Sequence, residues 1–167
     1  MIYCVAERKN DMNIEDFIIE IKPQYHGFVL SLNDYLLGKG CNLKITTAKN
    51  GHLVSYQYGK KKYVLMNFVF RKGELVARIY GNNAVNYLDV LESLPEGMKE
   101  TIHKAARCKR FENPPKCTPK CGGYVFNFEG SELQKCRYYC FMFEVTDETS
   151  PYIRTLIEKE LEQREVS

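Results

Sequence analysis

From Leu43 to Tyr80 the hydrophobic pattern has a period of two, and turn signals cut it three times. A helix would repeat its apolar positions every 3.6 residues; alternation of this kind belongs to strands. Leu43, Ile45 and Thr47 alternate with polar residues as far as Asn50-Gly51, a pair suited to a tight hairpin turn. Val54, Tyr56 and Tyr58 share the next face, and Gly59-Lys60-Lys61-Lys62 supplies the second turn. Tyr63 to Arg71 is apolar on both faces except at Asn67, which predicts a central strand. Lys72-Gly73 then leads into Leu75–Tyr80. This is an antiparallel meander, and an antiparallel sheet needs cover on at least one face.

Helical spacing on either side supplies that cover. Asn13 is placed to cap a helix, with Asp16 three positions on as in a capping box, and Ile14, Phe17, Ile18 and Ile21 line one side. Pro23 opens a second helix carrying Phe28, Val29, Leu32, Tyr35 and Leu36, and Gly38 and Gly40 stop it. Helices are expected again at 84–94, with Val85, Leu88 and Leu91 on one side, and at 95–107, with Met98 and Ile102 inward. A final hairpin is expected from Tyr124, Phe126 and Phe128, a turn at Glu129-Gly130-Ser131-Glu132, and a strand bearing Tyr139, Phe141, Phe143 and Val145. Ser150-Pro151 caps and starts the last helix, whose buried stripe is Ile153, Leu156, Ile157 and Leu161. The expectation is α+β: a single domain over 1–167 with a largely antiparallel sheet, meander plus C-terminal hairpin. N-terminal, middle and C-terminal helices pack on one face of it. Residues 1–12 read as a loose N-terminus and 108–123 as an irregular segment rich in Cys, Pro and basic residues.

At 167 residues the chain can bury a substantial core without staples. No run approaches the roughly 20 apolar residues of a membrane helix. The first residues show no basic segment followed by a long apolar one, so the expected setting is cytoplasmic, without membrane. Seven cysteines, an odd number, argue against a complete disulfide framework. The formal charge of +3 does not by itself imply nucleic acid. Its distribution is uneven: residues 107–121 carry Arg107, Lys109, Arg110, Lys116 and Lys120 against Glu112, while the tail holds Glu158, Glu160, Glu162 and Glu165.

Five of the cysteines fall close together: Cys108, Cys117, Cys121, Cys136 and Cys140. Zinc takes four soft ligands, usually as short-spaced pairs folded back by a turn. Cys117-Thr-Pro-Lys-Cys121, followed by Gly122-Gly123, is such a pair. Cys136 and Cys140 read as lying on a strand, where four residues span roughly 13 Å, so one of them at most can join. Hairpin pairing about Gly130 sets Cys140 opposite Cys121. Lys135 and Arg137, by contrast, favour a thiolate at Cys136. The expected zinc ligands are Cys108, Cys117, Cys121 and Cys136, with Cys140 as substitute. The competing readings are buried or free thiols used for packing, and thiol-based redox chemistry. Cys4 and Cys41 stand alone as packing residues.

A second candidate lies in the meander. Asn67 and Arg71 share one face of their strand, and Arg78 and Tyr80 share one face of the next. Such residues suit a concave face that binds a carboxylate or phosphate. The alternative is that Arg71 ends its strand in water and Arg78 points to solvent. His26, His52 and His103 are scattered, and no Gly-x-Ser-x-Gly, HExxH or phosphate loop is present. The basic cysteine segment, the Lys60-Lys61-Lys62 turn and exposed aromatics suggest a nucleic-acid-contacting surface as a further alternative.

The stretches Leu65-Met-Asn-Phe-Val-Phe-Arg71, Arg78-Ile-Tyr80 and Lys135-Cys-Arg-Tyr138 resemble those of small α+β proteins of unassigned function from low-GC Gram-positive bacteria. That resemblance covers most of the chain and implies a fold without an activity. The order of elements is also similar to small bacterial frataxin-like domains, which implies iron handling, but the acidic ridge such handling requires is missing here. The expected role is a non-catalytic cytoplasmic domain that binds a small anionic ligand or a protein partner, with zinc as a structural metal. The alternatives are a nucleic-acid-binding module and a thiol redox protein.

Overall fold

The computed structural model describes residues 12–112, 117 and 121–167. Of the expected loose N-terminus, 1–11 with Cys4 lie outside the described residues, and Met12 packs against the core. The expected capping box forms. Asn13 accepts from the Asp16 backbone N–H at 2.9 Å, and Asp16 accepts from the Asn13 N–H, starting α1 (Ile14–Glu20). Pro23 opens a 3₁₀ turn, Pro23–Tyr25, that runs into α2 (His26–Gly38). Just beyond α2, Gly40 takes the left-handed conformation at φ 79° that lets the chain turn away.

The meander follows as β1 (Asn42–Ala48), β2 (Gly51–Tyr58), β3 (Tyr63–Arg71) and β4 (Glu74–Ile79), all antiparallel neighbours. The expected helix over 84–94 is instead a 3₁₀ turn, Ala84–Asn86, and a short α3 (Leu88–Glu92). The next helix is α4 (Glu96–Lys104), shorter than the 95–107 expected. The segment read as irregular begins with a helical turn, α5 (Lys109–Glu112), and its residues 113–116 and 118–120 lie outside the described ones. The hairpin is β5 (Tyr124–Phe128) with β6 (Ser131–Lys135). A short β7 (Met142–Glu144) and a long α6 (Ser150–Glu165) complete the chain.

The C-terminal hairpin departs from the expectation. Phe128 pairs directly with Ser131, so Glu129 and Gly130 alone make the turn, both with positive φ. The second strand is therefore Ser131–Lys135, not the aromatic run beyond it. After Lys135 the chain makes one helical turn, with the Cys140 N–H donating to the Cys136 carbonyl at 2.9 Å. It then joins the other sheet, where β7 pairs with β4 and completes the order β1-β2-β3-β4-β7. The fold is α+β, as the pattern required.

Cross-strand register sorts the sheet into two faces. Val54, Phe68, Ala77 and Phe143 stand in one row on the inner face, and all are buried. α1 and α2 cover that face: Phe17 packs on Phe70, Phe28 on Phe68, and the Tyr56 hydroxyl donates to Asn33 at 2.9 Å. Burying a side chain such as Phe68 contributes about 1.5–3 kcal/mol. α6 also packs here, fixed by a charge. Glu160, with no exposed surface, accepts from Arg164 Nε, the Tyr87 hydroxyl, and the backbone and side chain of Asn83. Arg164 in turn donates to the carbonyls of Val64 and Tyr80. This network holds the end of β4, and with it Tyr80, against the helix. The expected Ser150 cap is replaced by Thr146 and Thr149, each accepting from the other's backbone N–H.

The outer face is different. Its central row is Lys44, Ser55, Asn67, Arg78 and Met142, one residue from each strand. The expectation of cover on a single face is therefore corrected: the Cys136–Phe141 turn and the end of α4 lie against part of the outer face.

Candidate anion-binding site

Period two put Asn67 and Arg71 on one face of β3, and Arg78 of β4 on one face with Tyr80 just beyond it; the cross-strand register joins the two pairs on the outer face. Asn67 and Arg78 are direct cross-strand partners. Ser55 Oγ donates to Asn67 Oδ1 at 2.7 Å, and Asn67 Nδ2 lies 3.4 Å from the Tyr80 hydroxyl. Arg71 is exposed and ends its strand in water, the alternative given for it above. Arg78 is not: only 2% of it is exposed, which overturns the reading of a side chain pointing into solvent.

Two side chains from the turn after β6 complete the site, and sequence reasoning missed both. The Arg78 guanidinium carbon sits 3.5 Å from the centroid of the Tyr138 ring, so the tyrosine lies over the cation. Arg137 stands 5.2 Å from the Tyr80 ring. Such contacts contribute about 0.5–2 kcal/mol each. They supply no hydrogen-bond acceptor.

Unpartnered polar atoms set the site apart. Among the described residues, the buried side-chain nitrogen and oxygen atoms without a hydrogen-bond partner are Arg78 Nε, Arg137 Nε and Tyr124 Oη. Arg137 and Tyr124 face each other, which leaves Arg78 Nε as the donor of this cluster without a partner group. Burial pushes the Tyr124 phenol above its ordinary range, against the opposing pull of Arg137. No carboxylate of the described residues forms an ion pair with Arg71, Arg78 or Arg137. A buried guanidinium without an acceptor is unusual, because its desolvation goes uncompensated.

Space lies beside it. A cavity of about 220 Å³ is lined by Arg78, Arg71, Lys49, His52, Val69 and Tyr138, among others, and no acid of the described residues lines it. Glu20 reaches His52 from α1, Nδ1 to Oε2 at 2.5 Å. A second cavity of about 550 Å³ lies on the same face, lined by Val76, Met142, Tyr139, Ala105 and Ala106 with Arg71, Thr101, Lys104 and Glu144. A larger cavity, about 730 Å³ beside the start of α6, has its cation already engaged: Arg154 bonds Glu158 and Ser31 and stacks on Tyr35.

The cysteines converge without closing a site. Arg107 bridges to Lys135, the Cys108 N–H donates to Gln134, and the Cys136 N–H donates to Ala106. Cys108 packs on Gly123, where an added Cβ would fall 2.7 Å from its sulfur at a φ of +64°. The Cys121 carbonyl accepts from Arg110 at 2.5 Å. Cys108, Cys121 and Cys136 thus reach one end of the hairpin. No group of three or more His, Cys, Asp and Glu among the described residues is placed to hold a metal ion. Cys117 is partly exposed.

Cys140 stands elsewhere than the spacing predicts. Cys136 and Cys140 share one helical turn, a rise of about 6 Å, and not a strand. The observed register sets the ladder two residues away from a Cys121–Cys140 pairing, since Tyr124 faces Lys135. Cys140 is fully buried, and burial raises its thiol well above the ordinary range. It behaves as a small hydrophobe. Cys41 is also buried, its thiol pushed up to about 11.

The Lys60–Lys62 turn stands at the opposite end of β3 from Arg71, about 27 Å away along the strand. Among the described residues no helix is long and apolar enough to cross a membrane. No family model matches the chain, and no curated protein or solved structure matches it.

Proposed function

We propose that the protein is a non-catalytic binding domain whose outer sheet face takes a small anionic ligand. Arg78 carries the reading: it is buried, unpaired, and forms part of a cavity lined by cations. An oxyanion there accepts the unused guanidinium hydrogens, with Lys49 and Arg71 adding charge, and the fork of an arginine matches carboxylate or phosphate oxygens. Asn67, held by Ser55, stands beside Arg78 as its cross-strand partner, and Tyr80, held through the Arg164 network, fixes the chain just beyond it. The setting is cytoplasmic in this reading, supported by described cysteines that are free thiols, the state a reducing compartment maintains.

The test is a melting screen against phosphate, sulfate and small carboxylates, with calorimetric titration of any that act. A ligand at a hundred times its Kd adds about 2.7 kcal/mol to stability. For a chain of this length that raises Tm by roughly 5–11 °C. Arg78→Met abolishes the shift. Equal shifts in wild type and variant would overturn the reading.

A structural zinc at the cysteine end is the second reading, supported by the backbone pairing that gathers Cys108, Cys121 and Cys136. Elemental analysis with a thiol count decides it. About one zinc per chain, with thiols protected until a chelator is added, supports the site; metal-free protein with every thiol reactive under denaturing conditions removes it.

A further inference from the structure

The two cavities of the outer face are neighbours. Val69 lines the small one and Val76 the large one, and these residues are direct cross-strand partners. Arg71 lines both. Arg78, in the small cavity, is the cross-strand partner of Met142, in the large one. Above them Tyr138 and Tyr139 meet edge to face at 5.3 Å, one ring over each side. The small cavity is cationic, whereas Val76, Met142, Ala105, Ala106 and the Tyr139 ring make the large one mainly apolar.

We infer that the ligand is an organic oxyanion with an apolar body. The headgroup sits on Arg78 in the cavity of about 220 Å³, and the body lies across the Val69–Val76 pair into the cavity of about 550 Å³. This deepens the anion-binding reading and rests on it. Arg71, shared by both cavities, stands where headgroup and body join. An inorganic anion alone would leave the apolar surface of Val76, Met142 and Tyr139 wet, whereas each methylene buried there tightens binding about fourfold.

The experiment is calorimetric titration of two matched pairs, inorganic phosphate against phenyl phosphate and acetate against hexanoate. Wild type, Arg78→Met and Ala106→Trp are compared. Ala106 is exposed, so the tryptophan fills the large cavity without disturbing the core. In at least one pair the apolar member should bind ten or more times tighter than its headgroup alone. Ala106→Trp should lose that increment while keeping the headgroup's own affinity, and Arg78→Met should lose both. The pair that shows the effect identifies the headgroup as phosphate or carboxylate. Headgroups that bind equally with and without the apolar body would overturn this inference and leave the anion site standing. Failure of all four compounds to bind wild type would overturn both.

Discussion

Replacing Arg78 with methionine should make the ligand-free protein more stable. Methionine keeps most of the length of the side chain and packs adaptably, while removing the charge and its hydrogens. Arg78 is 2% exposed, its Nε has no acceptor, and no carboxylate of the described residues pairs with it. An unsatisfied buried donor costs about 1–3 kcal/mol, and more when it is charged. Against this, the variant loses the stack on Tyr138, worth about 0.5–2 kcal/mol. Taken at mid-range, the two leave a gain of about 1 kcal/mol, or roughly 2–4 °C in Tm. Urea unfolding of wild type, Arg78→Met and Arg78→Lys in buffers free of multivalent anions measures it. Lysine keeps a buried charge and should show no gain. A fall in stability of Arg78→Met by more than about 1 kcal/mol would refute the reasoning, because it would show that the guanidinium is already compensated in the free protein.

Three further outcomes follow from the fold. Glu160→Ala leaves Arg164, Tyr87 and Asn83 without their shared acceptor and should destabilise by about 3–5 kcal/mol, read by urea unfolding. Gly123→Ala places a methyl against the Cys108 sulfur at a positive φ and should lower Tm, with faster alkylation of Cys108 as the hairpin end loosens. Lys22 and Tyr25 hold the Glu74 carboxyl below its ordinary value of 4.5, and Lys99 and His103 do the same for Glu129. Carboxyls with lowered folded-state pKa values stabilise above 4.5, and the benefit is lost as pH falls through those lowered values. Melting curves should therefore keep this contribution between pH 7 and 5 and lose it below about 4.5, with a smaller loss in the Glu74→Gln, Glu129→Gln double variant.

The meander was legible because its runs have strand length and every turn has its Gly or Asn; the register shift at Tyr56/Gln57 between β2 and β3 left no mark in the pattern. Alternation paired Asn67 with Arg71 and Arg78 with Tyr80, and the cross-strand register joined the pairs on one face. Burial of Arg78 was not legible, because its cover, Tyr138, arrives 60 residues later from a turn that the aromatic alternation of Tyr139, Phe141 and Phe143 disguised as a strand. That turn follows from the two-residue loop at Glu129–Gly130, which ends β6 at Lys135 and leaves only Met142–Glu144 to extend the sheet. Glu160 was within reach of the pattern: it falls on the stripe of Ile153, Leu156, Ile157 and Leu161, where a carboxylate must find buried partners. The cysteine spacing pointed to their convergence but not to its incompleteness, since hairpin register decides which sulfurs meet.

The most direct measurement is the Nε–Hε resonance of Arg78 by nitrogen-15 NMR during titration with phosphate and acetate, assigned by its loss in Arg78→Met. The account predicts that this resonance shifts saturably with one of the anions, because the Nε hydrogen gains the acceptor it lacks in the free protein. A resonance that stays fixed while other arginines move would contradict it, as would a shift that never saturates.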